Sequence, residues 1–187
     1  MDKHRVILVT DGDMVAKGAV EKAASNVGGR CISMSAGNPT VLTGNEILDY
    51  IHQAAHDPVV VMVDDRGWEG AGPGEQAMDT ILQDKSVDVL GVVAVSSNGK
   101  DCSGLHVTCS ITKDGKVIDG AVDKNGTDMH GGRICGDTLS ILKSKEDLII
   151  VGIGDPGKMD FNDEIAKGAP ITTKALQEVM KRSGYKQ

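Results

Sequence analysis

The feature that most constrains the fold is a set of short, almost uninterrupted apolar runs, three of which are followed directly by aspartate or glycine. Val6–Thr10 and Val59–Val63 are rich in β-branched residues, and Val87–Val95 and Leu148–Val151 repeat the pattern later in the chain. Strands that are buried on both faces of a parallel sheet have this composition, because helices cover both faces. Stretches with helical spacing separate the runs, so the sequence predicts an α/β protein.

A fifth, shorter run and five helical stretches complete the predicted architecture. Arg30–Met34 is the extra strand, and Thr43 with Glu46 forms a capping-box pattern at the start of a helix. Alternating strands and helices favour right-handed crossovers and a three-layer sandwich. We therefore predict a five-stranded parallel, flavodoxin-like (Rossmann-like) sheet in the order 2-1-3-4-5. The predicted helices span about 14–27, 43–56, 75–84, 133–144 and 171–183.

One region departs from the α/β alternation. Leu105–Thr112 and Lys116–Asp123 alternate between apolar and polar residues, and Asp114-Gly115 between them is a hairpin turn signal. This pattern predicts a β-hairpin excursion from the main sheet at about 104–123. No repeat or interdomain linker divides the sequence, so residues 1–187 are predicted to form a single domain.

Composition excludes several classes of function. The net charge of −7 disfavours nucleic-acid and anionic-lipid binding, which both need basic surface. The apolar runs are far shorter than the roughly 20 residues that span a bilayer, which argues against direct membrane insertion. The polar start of the chain lacks the pattern of a signal peptide, so a soluble cytoplasmic location is expected.

The four cysteines, Cys31, Cys102, Cys109 and Cys135, are scattered and show no C-x-x-C spacing. Zinc sites usually have short paired spacings, which disfavours a zinc site here. In a cytoplasmic protein the expected state of such cysteines is the reduced thiol.

Carboxylates follow the first and third predicted strands. Asp11 and Asp13 come after the first strand, and Asp64 and Asp65 after the third. Because ligands of open parallel sheets bind at the carboxyl ends of the strands, beside the switch in strand order, these side chains are expected to converge. Mg²⁺ and Ca²⁺ prefer such oxygen ligands, so a divalent cation is the candidate cofactor. The alternative is that the same residues end strands and cap helices.

A glycine-rich loop, Gly67–Gly74, precedes the third helix and contains the single Trp of the chain. Glycines permit close backbone approach, and a helix start presents bare N–H groups that favour an anion. A plain surface turn is the competing interpretation. Together with the glycine of the first loop, this segment supplies the ligand-binding candidates: Gly12, Gly67, Trp68, Gly70, Gly72 and Gly74.

Gly152–Met159 nearly matches the P-loop pattern but fails at the chemically important positions. Met159 replaces the hydroxyl that holds Mg²⁺, Pro156 lacks an N–H, and Asp155 would repel phosphate. The sequence also lacks a nucleophile elbow and a persuasive Cys–His arrangement. No residue is therefore assigned a catalytic role.

Four segments, taken together, resemble stage V sporulation protein AE, the soluble member of the spoVA group in spore-forming bacteria. They are Val9–Asp13, Gly29–Thr40, Asp64–Ala77 and Val151–Met159, and the similarity continues to Gly168–Leu176. The resemblance covers nearly the whole chain, but none of these segments encodes a known reaction.

The resemblance implies a role in sporulation and spore germination. Membrane members of the group move dipicolinic acid, as its calcium chelate, into the forming spore and out during germination. An acidic soluble member is then expected to be a non-enzymatic accessory or regulatory protein that docks on these spoVA membrane proteins, peripheral to the spore inner membrane. The alternative is a divalent-cation-dependent hydrolase or phosphotransferase at the aspartate-rich edge. A nucleotide-sensing module is a third interpretation.

Overall fold

The computed structural model describes residues 3–68, 71–97, 104–136, 138–145 and 147–186, and one mostly parallel sheet organises them. The strand order is β2-β3-β1-β4-β7-β5-β6. The strands are β1 His4–Val9, β2 Arg30–Cys31, β3 Val59–Met62, β4 Val87–Val95, β5 Cys109–Ile111, β6 Val117–Ile118 and β7 Ile150–Ile153. The α-helices found in the described residues are α1 Met14–Asn26, α2 Gly44–His52, α3 Pro73–Gln83 and α4 Pro170–Arg182.

The helices cover the sheet in two pairs, which confirms an α/β architecture. α1 packs against α4 on one face, and α2 packs against α3 on the other. The apolar strand residues divide between two core clusters, with Ile7 and Val9 facing α1 and α4 while Val6 and Leu8 face α2 and α3. All of these side chains are fully buried, as expected for strands covered on both faces.

The predicted flavodoxin-like strand order is wrong at two places, because β2 lies beside β3 and not β1, and β4 lies beside β1 and not β3. β2 lies beyond β3 at the edge of the sheet, with Arg30 opposite Val59, instead of beside β1. The turn between α1 and β2 places β2 beside β3, because the N–H of Arg30 donates to the carbonyl of Pro58, just before β3, at 2.9 Å. A Cβ atom at Gly29 would overlap that same carbonyl oxygen, so glycine allows the approach. The predicted neighbours β1 and β3 are nevertheless adjacent and parallel.

The predicted hairpin is shorter than expected and is part of the main sheet. β5 and β6 pair in an antiparallel ladder, with Ser110 opposite Ile118. β5 also runs parallel to β7, with Cys109 opposite Val151. The prediction that the hairpin would leave the main sheet was wrong. A two-stranded hairpin is marginally stable by itself, and β5 gains a further strand partner by pairing with β7.

The described residues of the segment 133–144, which was predicted to be a helix, contain no α-helix, and the 3₁₀ helix Ser140–Ser144 forms at its end. Ile134 instead forms an antiparallel bridge with Leu105. Each donates its N–H to the carbonyl of the other, at 2.8 and 3.0 Å, so the groups that a helix needs are already used. The α1, α2, α3 and α4 predictions agree with the structure to within a few residues.

The cysteines do not share one state. Cys31 and Cys109 are buried free thiols, and burial raises the pKa of Cys31 to about 12, which makes it unreactive. Cys135 is disulfide-bonded, which contradicts the expectation that every cysteine is reduced. Cys102 lies outside the described residues.

Candidate functional site

The carboxyl ends of β1 and β3 meet, as the sequence predicts. Val9 lies opposite Met62 in the parallel ladder, and the loops that follow carry Asp11 and Asp64. A Cβ atom placed on Gly12 would lie 3.0 Å from the Cβ of Asp64, and it would overlap the carbonyl of Gly37. Gly12 is therefore needed for close packing between loops of this chain.

Asp11 is a carboxyl group whose pKa is strongly raised. One of its oxygens accepts hydrogen bonds from the N–H groups of Gly12, at 2.7 Å, and Asp13, at 3.2 Å. Burial raises its pKa to about 7, and the neighbouring charges of Asp13 and Asp64 act in the same direction. Asp11 therefore changes its charge near neutral pH.

Asp13 caps α1 and pairs with a lysine. Its Oδ1 accepts from the N–H groups of Val15 and Ala16, both at 2.8 Å, and its Oδ2 lies 2.9 Å from Nζ of Lys158. Burial alone would raise the pKa of Asp13, but the hydrogen bond from Ala16 and the Lys158 ammonium outweigh it and lower the pKa. Lys158 also lies 3.5 Å from Asp155.

Asp65 occupies the start of α3, where the sequence suggested an anion. The residue is fully buried, and its Oδ1 accepts from the N–H of Gly74 at 2.6 Å. The N–H of Glu75 lies 3.2 Å from its other oxygen. A carboxylate of the chain thus sits where an external anion would bind.

Asp64 is buried beside the loop that follows β2. Its Oδ1 accepts from the N–H of Arg66 at 2.9 Å, while its own N–H and carbonyl pair with the Thr40 hydroxyl and N–H, each at 2.8 Å. Across the described residues, no group of three or more His, Cys, Asp or Glu side chains is arranged to hold a metal ion. The candidate cation ligands Asp11, Asp13, Asp64 and Asp65 therefore lie at one edge without forming such a group.

Gly72 and Gly74, at the start of α3, allow close packing between parts of this chain. A Cβ at Gly72 would overlap the Asp65 carboxylate, and one at Gly74 would lie 2.7 Å from the Asp64 backbone. Gly67 has a positive φ of 70° and open space around it, as in a turn. Trp68 is 62% exposed, and Gly70 lies outside the described residues.

Asp163 is a structural residue that the sequence analysis missed. It is fully buried, and it accepts from the N–H groups of Ile171 and Thr172 at the start of α4, at 2.7 and 3.0 Å. Its other oxygen accepts from the N–H of Gly157 at 2.8 Å, in the segment that resembled a P-loop. Only its place shortly before Pro170, a residue favoured in the first turn of a helix, hinted at this role.

Exposed apolar side chains lie in the segments that follow the strands at this end of the sheet. Met14 follows β1, Val41 follows β2, Trp68 follows β3, and Phe161 follows β7. Their exposed fractions are 76%, 82%, 62% and 73%, which is unusual for large apolar side chains that share one end of a sheet. We call Met14, Val41, Trp68 and Phe161 the apolar rim.

The loops that carry the apolar rim contact each other. The Gly12 and Gly37 backbones pack together, and Gly37 lies close to Val41, where a Cβ would meet its Cγ2 at 3.4 Å. On the other side, a Cβ at Gly157 would lie 3.0 Å from Cγ1 of Val15, beside Met14. The rim is therefore supported by adjoining loops.

Phe161 is presented by a left-handed turn. Met159, Asp160 and Phe161 have positive φ values of 49°, 53° and 66°, a conformation that is costly for residues other than glycine. Met159 is buried and Asp160 pairs with Lys113 at 2.6 Å, so the surrounding contacts hold the turn. Strained backbone that exposes an aromatic ring favours a binding role.

Helices on both faces of a mostly parallel sheet define an α/β protein, and open sheets of this class usually bind their ligands at the carboxyl ends of the strands. The family model of SpoVAE, stage V sporulation protein AE1, matches residues 5–183. The chain belongs to this family, and membership implies a role in sporulation. No curated protein and no solved structure matches the chain.

Proposed function

We propose that the protein is a non-enzymatic accessory subunit of the spoVA dipicolinic acid transport system in sporulation and germination. It binds the membrane proteins of that system through the apolar rim, and this binding holds it peripherally at the spore inner membrane. Family membership supports the sporulation setting. The observation that supports docking is the exposure of Met14, Val41, Trp68 and Phe161 at one end of the sheet.

The use of the carboxylates favours binding over catalysis. Asp13, Asp65 and Asp163 satisfy the first N–H groups of α1, α3 and α4. A carboxylate committed to a helix start is poorly placed to ligate a metal ion or move a proton. The rim, in contrast, offers apolar area that a partner would remove from water.

The charges near Phe161 are largely paired within the chain. Asp155 lies near Lys124 and Lys158, and Glu164 pairs with Lys167. A partner segment would therefore gain mainly by covering the apolar side chains of the rim. None of the helices in the described part of the chain has the length and apolar character that crossing a bilayer requires.

The docking proposal is tested by affinity capture from sporulating cells. Tagged wild type is expected to retain spoVA membrane proteins, whereas the double variant Trp68→Ser, Phe161→Asn loses them. A matched control, Tyr50→Ser on α2, removes an aromatic ring that is 38% exposed and lies away from the rim. Equal capture by wild type and the double variant would contradict docking through the rim.

A second candidate function is a divalent-cation-dependent hydrolase or phosphotransferase, and one observation favours it. The pKa of Asp11, raised to about 7 by burial, suits a general base at neutral pH. This function predicts Mg²⁺-dependent hydrolysis of p-nitrophenyl phosphate that Asp11→Asn abolishes. Equal background rates with and without the variant and the metal would exclude it.

A further inference from the structure

The strand β2 forms one edge of the sheet, and its outer side is open. Within the described part of the chain, β3 is the strand that pairs with it. The N–H of Arg30 donates to the carbonyl of Pro58, and the N–H of Ile32 donates to that of Val60, both at 2.9 Å. Because the backbone groups of successive residues alternate between the two sides of a strand, the N–H and the carbonyl of Cys31 point away from β3. No hydrogen bond to another described residue uses them, so they can pair with one more strand.

A groove of about 420 Å³ lies beside this open edge, and we call it the β2 groove. Residues 30–34 form one wall, and residues 50–56, at the end of α2 and just beyond it, form the other. Met34 is 61% exposed and Tyr50 is 38% exposed, so two large side chains offer apolar surface to the groove. The small side chain of Ala54 leaves room between them. The β2 groove can therefore cover an apolar side chain of a strand that is added at the edge.

The β2 groove is basic although the protein has a net charge of −7. Arg30 and His56 line it, and none of the described lining residues is acidic. Arg30 is exposed, and its guanidinium makes no salt bridge and no side-chain hydrogen bond with the residues that the structure describes. Asp57, which follows His56 in the chain, is paired with His4 at 2.9 Å. The groove therefore attracts an anionic group, and Arg30 can bind it.

A second copy of the chain does not complement this edge. A closed pair of copies meets through the same surface patch on both, so Arg30 and His56 of one copy would face the same cations of the other. Like charges at a contact are disfavoured. β2 is also only two residues long, and short edge strands limit pairing between identical sheets. A segment that carries carboxylates, in contrast, brings charges of the opposite sign to the groove.

We propose that the open edge of β2 and the β2 groove bind an extended, acidic segment of a second partner protein by β-strand addition. Backbone groups of the segment pair with the N–H and the carbonyl of Cys31. An apolar side chain of the segment packs on Met34 and a carboxylate pairs with Arg30, because alternate side chains of a strand share one face. No residue of the apolar rim is among the described residues that line the β2 groove, so this proposal does not rest on docking through the rim.

Blocked peptides test the proposal in titrations of the full-length ¹⁵N-labelled protein, followed by NMR. The probe TETVTET places a valine between two glutamates on one face of a strand, and TQTVTQT removes both charges. A third peptide is TETVTET with N-methyl groups on the two threonines beside the valine, which removes two N–H donors. The probe is expected to shift the signals of residues 30–34 and 50–56 and to leave Trp68 and Phe161 unchanged. TQTVTQT should bind at least about five-fold more weakly than the probe, and the N-methylated peptide about ten-fold more weakly.

The titrations can contradict each part of the proposal. No binding of TETVTET, or shifts centred outside the β2 groove, would overturn the site. Equal affinities for TETVTET and TQTVTQT would overturn the choice of an acidic partner. Equal affinities for TETVTET and its N-methylated form would overturn β-strand addition.

Variants of the protein test the role of Arg30. Arg30→Gln is expected to weaken binding of TETVTET about ten-fold and to leave binding of TQTVTQT unchanged. Lys22→Gln, on the exposed side of α1, removes the same charge outside the groove and should bind TETVTET as wild type does. The rim variant Trp68→Ser, Phe161→Asn should also bind TETVTET as wild type does, which separates a failure of rim docking from a failure of this site. Equal affinity of TETVTET for wild type and Arg30→Gln would overturn the proposal.

Discussion

The apolar rim region and the basic cavity hold their charged groups in different ways. At the carboxyl ends of the strands, Asp13, Asp65 and Asp163 accept hydrogen bonds from helix N–H groups of the same chain. At the basic cavity, which Arg133, Lys143, Lys145 and His106 line near the amino ends of β5 and β7, Lys145 is half-buried and makes no salt bridge with a described residue. Arg133 and Lys143 already have interactions within the protein. A charged cluster in a sequence therefore indicates a ligand only after the partners of each charge in the fold are known.

The largest expected effect comes from Asp163→Asn. Asp163 accepts from Gly157, Ile171 and Thr172, and it is fully buried. Loss of its charge leaves buried donors poorly paired, so the free energy of unfolding should fall by about 3 kcal/mol in urea denaturation.

The control for this variant is Asp160→Asn, three residues earlier. Asp160 makes an exposed ion pair with Lys113, so its loss should cost under about 1 kcal/mol, and asparagine tolerates its positive φ. Similar losses in both variants would mean that Asp163 does not organise the carboxyl end.

Asp65→Ala is expected to have the second-largest effect on the free energy of unfolding. It removes the acceptor for the N–H groups of Gly74 and Glu75 at the start of α3. A stability loss of about 2 kcal/mol is expected, with faster hydrogen exchange confined to the first turn of α3. If the variant is as stable as wild type, Asp65 is not needed to pair these N–H groups, and the start of α3 would again be a candidate binding site for an external anion.

Periodicity and helix caps in the sequence predicted most elements of the fold. The capping box of Thr43 and Glu46 forms as predicted, and β1 and β3 are neighbours. The position of β2 was not predictable, because it depends on the close approach of Gly29 to Pro58, and the spacing of apolar residues does not show such a contact. Likewise, the bridge between Leu105 and Ile134 outweighed a local helical pattern.

The candidate site was predicted less well than the fold. The sequence identified Asp11 and Asp64 as neighbours, but it could not show that Asp65 turns back onto the start of α3. Asp163 was missed because most of its partners are backbone N–H groups, which every residue except proline has, so the sequence does not mark them. The basic cavity was also missed, since Arg133 and Lys145 come from separate segments that meet only in the fold.

Asp11→Asn should change how stability depends on pH. The folded pKa of Asp11 is raised to about 7 from an ordinary 3.8, mainly by burial, so the folded state holds the proton more tightly than the unfolded state. Wild-type stability contributed by this group is therefore present below about pH 4 and is lost as the pH rises through 7.

Asp11→Asn should remove the loss of stability that wild type shows as the pH rises through 7. At pH 8 the variant is expected to be more stable than wild type by about 2 kcal/mol. This value is smaller than the full pKa shift of Asp11 would give, because Asp11 is only partly buried. The two proteins should converge near pH 4. Parallel stability curves for wild type and variant between pH 4 and 8 would show that Asp11 titrates normally.

The smallest effect on stability is expected for Phe161→Asn. The ring is 73% exposed, and asparagine tolerates the positive φ at this position, so the free energy of unfolding should change by less than about 0.5 kcal/mol. Capture of spoVA membrane proteins should nevertheless fall about ten-fold if the ring enters a partner pocket. A stability loss that matches the binding loss would point to a structural role instead.

The docking of the apolar rim is tested most directly by hydrogen exchange of the full chain with and without detergent-solubilised spoVA membrane proteins. We predict slower exchange in the loops 11–15, 36–43, 64–68 and 157–163, and unchanged exchange along the outer faces of α2 and α3. Protection confined to α2, α3 or the basic cavity, with the rim loops unchanged, would contradict the account.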